Sequence, residues 1–179
     1  IQAVPRSSAT SRESADRHAS ASVRATSSRR RRVKRGIDSL AVLPLSNVGG
    51  QAETEYLSDG ITESLINSLS QIRSLRIVPR SMVFRYKGKE TDPLEVAGEL
   101  NVEALLMGKI VMRGDDLNVQ IELVDAVHRS QMWGGQYTKK TDGLMEIHRE
   151  ILNEVKDRLG LVLTGEENKL FSRAMTTSR

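Results

Sequence analysis

The sequence predicts one α/β domain with a mixed five-stranded sheet, in the order β-α-β-α-β-β-β-α, with helices packed on that sheet. Three observations predict this architecture. Short apolar runs alternate with helically spaced segments, three strand-like segments joined by short turns follow, and a polar basic tail precedes them all. Strands separated by helices favour right-handed parallel crossovers, whereas strands joined by tight turns form antiparallel hairpins.

Residues 1–36 differ from the rest of the chain in composition. They are rich in Ser, Ala, Thr and Arg, and their few apolar residues follow neither helical nor strand spacing. Such a segment cannot bury enough surface to offset the entropy of ordering, so we expect it to be disordered. Ten Lys and Arg against Glu13 and Asp16 give this tail a charge of +8, which leaves −4 for the remainder of a +4 chain. A mildly acidic domain is not expected to bind nucleic acid.

The tail ends in a basic run for which two interpretations stay open. One is a solvated linker, extended by the repulsion of its own charges. The other is a patch that attaches to an anionic membrane surface or to nucleic acid. The residues of this anionic-surface tail are Arg29, Arg30, Arg31, Arg32, Lys34 and Arg35.

The ordered part is expected to begin at Ile37 with a strand and a long helix. Residues 40–45 form a continuous apolar run, which is typical of a strand covered on both faces. Residues 46–54 contain glycines and asparagine and predict a loop. From about Glu55 the spacing becomes helical, and residues 76–79 predict the second strand. The apolar face of the helix comprises Ile61, Leu65, Leu69 and Ile72.

The second predicted helix has clear signals at both ends. Asp92 is a typical N-cap, Pro93 suits the first turn because it lacks an N–H, and Glu95 completes a capping box. Asn101 tolerates the left-handed conformation that ends many helices. The helix is therefore predicted to run from Asp92 to Asn101.

Three strands and two helices complete the prediction. Residues 102–112 and 131–138 are strand-like, and Trp133 and Tyr137 are expected to anchor the second of them. Between them, apolar and polar residues alternate strictly over 117–123, which indicates a strand with one wet face. The final helices are expected over residues 142–159 and 166–174, the latter opened by the capping-box pattern Thr164 to Glu167.

The sequence shows no arrangement typical of a catalytic or metal site. It contains no cysteine, and its histidines, at positions 18, 128 and 148, are not at metal-ligand spacing. His148 is expected to be a partly buried residue of the last long helix. A kinase glycine-rich loop, a catalytic Asp loop and an Asp-Phe-Gly motif are not in the sequence. We therefore predict no enzyme activity and no cofactor for this chain. No apolar run approaches the roughly 18–20 residues that cross a bilayer.

A basic, aromatic segment, expected to form a loop after the second strand, is the candidate ligand or partner surface. In α/β sheets, ligands bind beyond the carboxyl ends of strands. An alternative is that Val83 and Phe84 only close the edge of the core. The candidate residues are Arg80, Ser81, Phe84, Arg85, Tyr86 and Lys87.

Several segments occur in an order and spacing that resemble one known bacterial module, the TolB amino-terminal-like domain, over about residues 37–172. One departure is Asn101, where that family commonly has glycine. The segments that carry the resemblance are 37–45 (Ile-Asp-Ser-Leu-Ala-Val-Leu-Pro-Leu), 55–65 (Glu-Tyr-Leu-Ser-Asp-Gly-Ile-Thr-Glu-Ser-Leu), 76–81, 84–88, 96–102, 122–125 and 131–134.

The resemblance implies a domain that is attached to bacterial serine/threonine protein kinases, adenylate cyclases and winged-helix regulators, usually before tetratricopeptide repeats. It implies a linker (1–36), the domain (37–163) and a helical lead-in to repeats (164–179). Because the sequence opens on Ile1 rather than methionine, we expect it to be part of a longer chain.

The implied function is a non-catalytic regulatory and protein-interaction module, downstream of a serine/threonine kinase domain. Its partners would be adjacent domains of the same parent or another protein. Two alternatives stay open: a small-molecule sensor, or attachment to a membrane surface or nucleic acid through the tail. Membrane contact would involve the tail or a span upstream of Ile1. Either the cytoplasmic or the periplasmic side of the bacterial inner membrane is compatible with the sequence.

Overall fold

The computed structural model describes residues 36–174, which form a mixed sheet with five α-helices. The basic tail predicted for residues 1–36 lies outside the described residues, apart from Gly36. The strands are β1 (Ser39–Val42), β2 (Ser46–Asn47), β3 (Arg76–Ile77), β4 (Ala104–Arg113), β5 (Asp116–Asp125) and β6 (Ser130–Lys140). The helices are α1 (Ala52–Leu69), α2 (Arg80–Val83), α3 (Pro93–Leu100), α4 (Leu144–Arg158) and α5 (Gly165–Ala174).

The sheet has the strand order β3-β1-β4-β5-β6, which confirms the predicted mixed α/β fold. β1 pairs in parallel with β3 and β4, and β4-β5-β6 form an antiparallel meander. The chain leaves β1 through α1 toward one side and returns from β3 through α3 to the other side of β1. β1 is therefore the strand at which the winding direction reverses.

The structure contains a sixth strand in the predicted loop 46–54. The Leu43 N–H donates to the Leu106 carbonyl oxygen at 2.8 Å, so pairing with β4 continues just past β1. Pro44 follows and has no N–H to donate, and the pairing resumes as β2, where Ser46 lies opposite Lys109. β2 was not predicted from the sequence because only two residues pair after this proline.

The two ends of the sheet differ in how they are covered. Leu40, Ala41 and Val42 are fully buried, as are the residues opposite them at the start of β4. Because neighbouring strand residues point to opposite faces, both faces are covered there. In β5, by contrast, buried and partly exposed residues alternate along the whole strand. The predictions of a first strand covered on both faces and of a strand over residues 117–123 with one solvent-exposed face are both confirmed.

The Asp92 and Asn101 signals of α3 and the capping box before α5 operate as expected, whereas no hydrogen bond within residues 36–174 joins Glu95 to the Asp92 N–H. The Asp92 carboxylate accepts from the Leu94 N–H at 2.7 Å, and Asn101 ends α3 in the left-handed conformation at φ 51°. Before α5, the Glu167 carboxylate accepts from the Thr164 N–H at 2.8 Å, and the Thr164 hydroxyl accepts from the Glu167 N–H at 3.3 Å. This reciprocal pair is a capping box.

Helix α5 is fastened to the rest of the domain at two points. The second carboxylate oxygen of Glu167 accepts from the Arg73 N–H at 2.9 Å, just beyond α1. One turn later, Phe171 is buried, and the Lys156 ammonium lies 5.9 Å from the centre of its ring. The bonds from the Thr164 and Arg73 N–H groups lower the pKa of the Glu167 carboxyl. The carboxylate at the start of α5 therefore joins two separate segments of the chain.

The close approach of β4 to β5 requires a glycine and yields the first prediction. A Cβ at Gly108 would lie 2.1 Å from the Gln120 carbonyl oxygen, which belongs to the backbone and cannot move aside independently. We expect Gly108→Ala to lower the free energy of unfolding by about 2–3 kcal/mol, measured by urea denaturation.

Gly98→Ala is the matched control. Gly98 lies inside α3, and a Cβ there would meet no described atom within 4 Å. This substitution should stabilise the domain by about 0.5–1 kcal/mol, because glycine disfavours a helix interior. Equal effects of the two substitutions would contradict the proposed backbone clash.

Candidate functional site beside the first strand

A cleft of about 440 Å³ lies beyond the carboxyl end of β1 and adjoins the segment predicted as the binding surface. Its position fits the general rule that α/β sheets bind ligands where the winding direction reverses. We call it the β1 cleft. Among the residues that line it are Leu43, Leu45, Asn47, Glu55, Tyr86 and Lys87.

The candidate segment is more regular than the predicted loop. Residues 80–83 form the single turn α2, and residues 84–86 continue as a 3-10 turn. Val83 is fully buried and Phe84 packs against the core. The alternative interpretation, that these two residues close the core edge, agrees with this packing. Turns rather than an open loop form here because Val83 has to reach the core.

Arg80 is held by the helix before it and by the ring after it. Its Nε lies 3.5 Å from a carboxylate oxygen of Glu63, on α1. Its guanidinium carbon lies 4.1 Å from the centre of the Phe84 ring, within the range of a cation–π contact. The Arg80 charge is therefore already partnered within the chain.

Arg85 and Tyr86 are joined to α3. Arg85 Nη2 donates to the Tyr86 hydroxyl at 2.7 Å and lies 3.4 Å from a carboxylate oxygen of Glu99. The Tyr86 hydroxyl also hydrogen-bonds the same carboxylate. These neighbours raise the pKa of the Arg85 guanidinium, with the bond to Tyr86 as the largest cause.

Lys87 is the most enclosed of the three cations. Its ammonium lies 2.5 Å from Asp59 and 2.6 Å from Glu55, both on α1. Burial opposes the charge, but the two carboxylates outweigh it and raise the pKa of Lys87. The bond to Lys87 in turn lowers the pKa of Glu55. Lys87 thereby fixes the wall of the β1 cleft to α1.

The structure thus brings the predicted surface residues together, with their charges balanced by α1 and α3. Arg80, Arg85 and Lys87 each contact a carboxylate, whereas Ser81 is exposed and forms no described hydrogen bond. An anion entering here would have to displace a carboxylate. The assignment of these residues to ligand or partner binding stays a prediction, and a neutral or protein surface fits it better than a phosphate site does.

A polar contact between His148 and Ser64 was not predicted from the sequence. His148 is buried between α4 and α1, and its Nε2 lies 3.0 Å from the Ser64 hydroxyl. Its Nδ1 is buried and has no hydrogen-bond partner among residues 36–174. Burial lowers the pKa of His148. The sequence indicated a partly buried helical histidine, but a contact across 84 residues leaves no local pattern.

The described residues contain no group of three His, Asp or Glu side chains that could hold a metal ion. Between Gly36 and Ala174, no helix is both long and apolar enough to span a membrane. The tail candidates Arg29, Arg30, Arg31, Arg32, Lys34 and Arg35 lie outside the described residues.

Lys87 yields a prediction about the cleft wall. Lys87→Gln leaves Glu55 and Asp59 without their shared cation, so we expect a loss of about 1 kcal/mol in unfolding free energy. The loss should shrink in 1 M NaCl because salt screens the repulsion left between the carboxylates. The matched control is Lys89→Gln, since Lys89 is exposed and forms no ion pair within residues 36–174. Similar losses from both substitutions would contradict the role of Lys87.

His148 yields a prediction about pH. Because the folded chain depresses the pKa of His148 below its ordinary value of 6.5, the unfolded chain binds a proton that the folded chain does not. The stability that this group contributes is fully present above pH 6.5. Below pH 6.5 the free energy of unfolding decreases by up to about 1.4 kcal/mol per pH unit. The measurement is urea unfolding of the wild type and His148→Gln from pH 7.5 to 5. The difference in unfolding free energy between the wild type and His148→Gln should shrink as the pH falls. Parallel plots of unfolding free energy against pH would contradict a depressed pKa for His148.

Comparison with known proteins identifies a relative and a similar solved structure. The chain is 32% identical over 136 residues to a protein of Rhizobium meliloti (strain 1021) named "Putative adenylate cyclase 3". The match covers 75% of this chain and 23% of that protein, so the chain spans about a quarter of its relative. The crystal structure of TolB from Acinetobacter baumannii superposes with a TM-score of 0.51 at 10% identity, over 69% of this chain and 29% of TolB. The predicted TolB-like fold is confirmed.

The family match covers most of the chain. The profile described as "HilA/YgeH-like transcriptional regulator, second domain" matches residues 36–156. This range contains every strand, the β1 cleft and nearly all of α4. The chain therefore belongs to the HilA/YgeH-like transcriptional regulator second-domain family and is a regulatory module.

Proposed function

We propose that the chain is the non-catalytic regulatory and protein-interaction module of a bacterial signalling protein, attached to an output domain of the kinase or cyclase type. The observation that carries the proposal is the match to the Rhizobium meliloti relative. It covers 75% of this chain but only 23% of a protein whose name describes a cyclase. The output activity would belong to the remaining sequence, and this chain would regulate or connect it.

The geometry of the candidate segment supports a protein partner. Two of its three cations are half exposed and ion-paired, and Ser81 and Met82 are exposed beside them. Interfaces commonly combine such a polar rim with a few apolar groups. Because the ion pairs to α1 and α3 hold the backbone in place, a partner would meet a preformed surface. Preformed surfaces cost less ordering entropy on binding.

The proposed order of parts places the domain at residues 37–163, before a repeat region. Helix α5 would be the start of that region. Its fastening through Glu167 and Phe171 would transmit the orientation of the following repeats to α1. More specifically, we propose that the output domain is a serine/threonine kinase.

The test compares the parent protein with and without residues 37–163. The output domain, supplied as a separate polypeptide, is used to measure binding. Deleting residues 37–163 from the parent is expected to leave the output domain folded but to change its turnover rate or its assembled mass by light scattering. No change in either quantity would contradict a regulatory role. Turnover of a substrate by this chain alone, lost on a point substitution, would contradict the non-catalytic assignment.

A matched pair of substitutions tests the surface itself. Ser81→Arg places a bulky side chain in the centre of the candidate segment. We expect it to weaken binding of the separate output domain about ten-fold or more, measured by calorimetry. Ser74→Arg adds the same side chain at an exposed position in the turn before β3 and should leave binding unchanged. Equal affinities for the two variants would exclude the segment 80–87 from the interface.

A further inference from the structure

We infer that the free edge of β6 is a dimerisation surface, on which a second copy of this chain pairs its own β6 in antiparallel orientation about Gly135. The inference does not depend on the proposed function. It rests on the length of this edge, on the state of its charges and on the register that two-fold symmetry would impose.

Among residues 36–174, β6 is a long strand with a partner strand on one side only. It spans 11 residues and pairs with β5, whereas the strand at the opposite edge, β3, has two residues. Within residues 36–174, no further strand pairs with β6. An unpaired edge of this length presents a row of N–H and C=O groups that can template another strand.

The usual protections of an edge strand are weak here. β6 contains no proline, and its only charged residues are Lys139 and Lys140 at its end. A β-bulge at Met132 interrupts its pairing with β5 near the other end, so the regular part of the edge spans residues 133–140. The Lys139 ammonium lies 3.0 Å from Glu146 on α4, and that of Lys140 lies 2.7 Å from Asp116 on β5. Edge lysines normally deter pairing by their charge. In this chain both of those charges are balanced internally.

Two-fold symmetry selects one register in which the whole strand is paired. An antiparallel pair of identical strands overlaps completely only when its axis passes through the midpoint, which is Gly135 for Ser130–Lys140. The bulge at Met132 of each copy then lies outside the central pairs, which span residues 133–137. In that register the lysines of one copy lie opposite Gln131 and Ser130 of the other, so like charges do not meet. Trp133 lies opposite Tyr137 of the second copy, and cross-strand aromatic pairs stabilise sheets.

The test exploits the absence of cysteine from the sequence. Sedimentation of the full chain should show a monomer–dimer equilibrium. Single spin labels at Gln136→Cys and Thr138→Cys then report the register, since the paired backbones at these positions would be about 8 Å and about 21 Å apart. We expect strong dipolar broadening at position 136 and a distance near 20 Å, widened by the label arms, at position 138. A monomer at all concentrations, or a dimer with label distances above 40 Å, would overturn the inference.

A charge substitution provides an independent readout. Gln136→Lys places two ammonium groups diagonally across the symmetry axis, so the dimer dissociation constant should rise about five-fold or more and recover in high salt. Gln120→Lys is the matched control because Gln120 lies opposite Gln136 on β5, one strand away from the edge. It should change the dissociation constant less than about two-fold. Equal effects of the two substitutions would place the interface elsewhere.

Discussion

The domain depends on the complete burial of the short strand β1. Its four residues lie between two parallel neighbours, and water reaches neither face. A strand in this position must have all its backbone groups paired and helices over both faces, since unpaired polar groups in an apolar interior are costly. The crossovers through α1 and α3 follow from this requirement. The β1 cleft exists because the two crossovers lead to strands on opposite sides of β1.

Ion pairs join the segment between β3 and α3 to the scaffold. Glu63 and Asp59 lie on α1 one turn apart, and each contacts a cation of that segment. A third acid, Glu99, extends from α3 to Arg85. Each exposed pair contributes little stability alone, because solvent screens it. Together they fix the position of the segment, which matters more for recognition than for the free energy of folding.

The sequence predicted the elements with local causes and missed those with long-range causes. Asp92 and Asn101 mark the ends of α3 by their own backbone preferences, so both ends were predicted. Five strands were predicted from apolar runs and alternation. β2 was missed because two paired residues after Pro44 carry no periodicity. The turns at 80–86 were predicted as a loop because their cause is the contact of Val83 with a core assembled from distant residues.

The same distinction between local and long-range causes applies to the candidate surface. Its basic and aromatic composition was evident from residues 80–88, but the carboxylates that balance it come from two other helices. Glu63 and Arg80 are 17 positions apart, and no local pattern predicts that they meet. The hydrogen bond between Ser64 and His148 was hidden for the same reason. The residue types thus predicted where the surface lies. Only the fold shows that its cations are paired with acids of α1 and α3.

The fastening of α5 has a mechanical consequence. A helix whose first turn is tied to the end of α1, and whose next turn is wedged by Phe171, has no free hinge at its base. Its ten residues extend about 15 Å from that base. Such a helix behaves as a rigid lever: a torque applied at its far end is delivered to α1 instead of being dissipated in a joint. Since α1 also carries the acids that hold Arg80 and Lys87, the base of the lever and the wall of the β1 cleft are attached to the same helix.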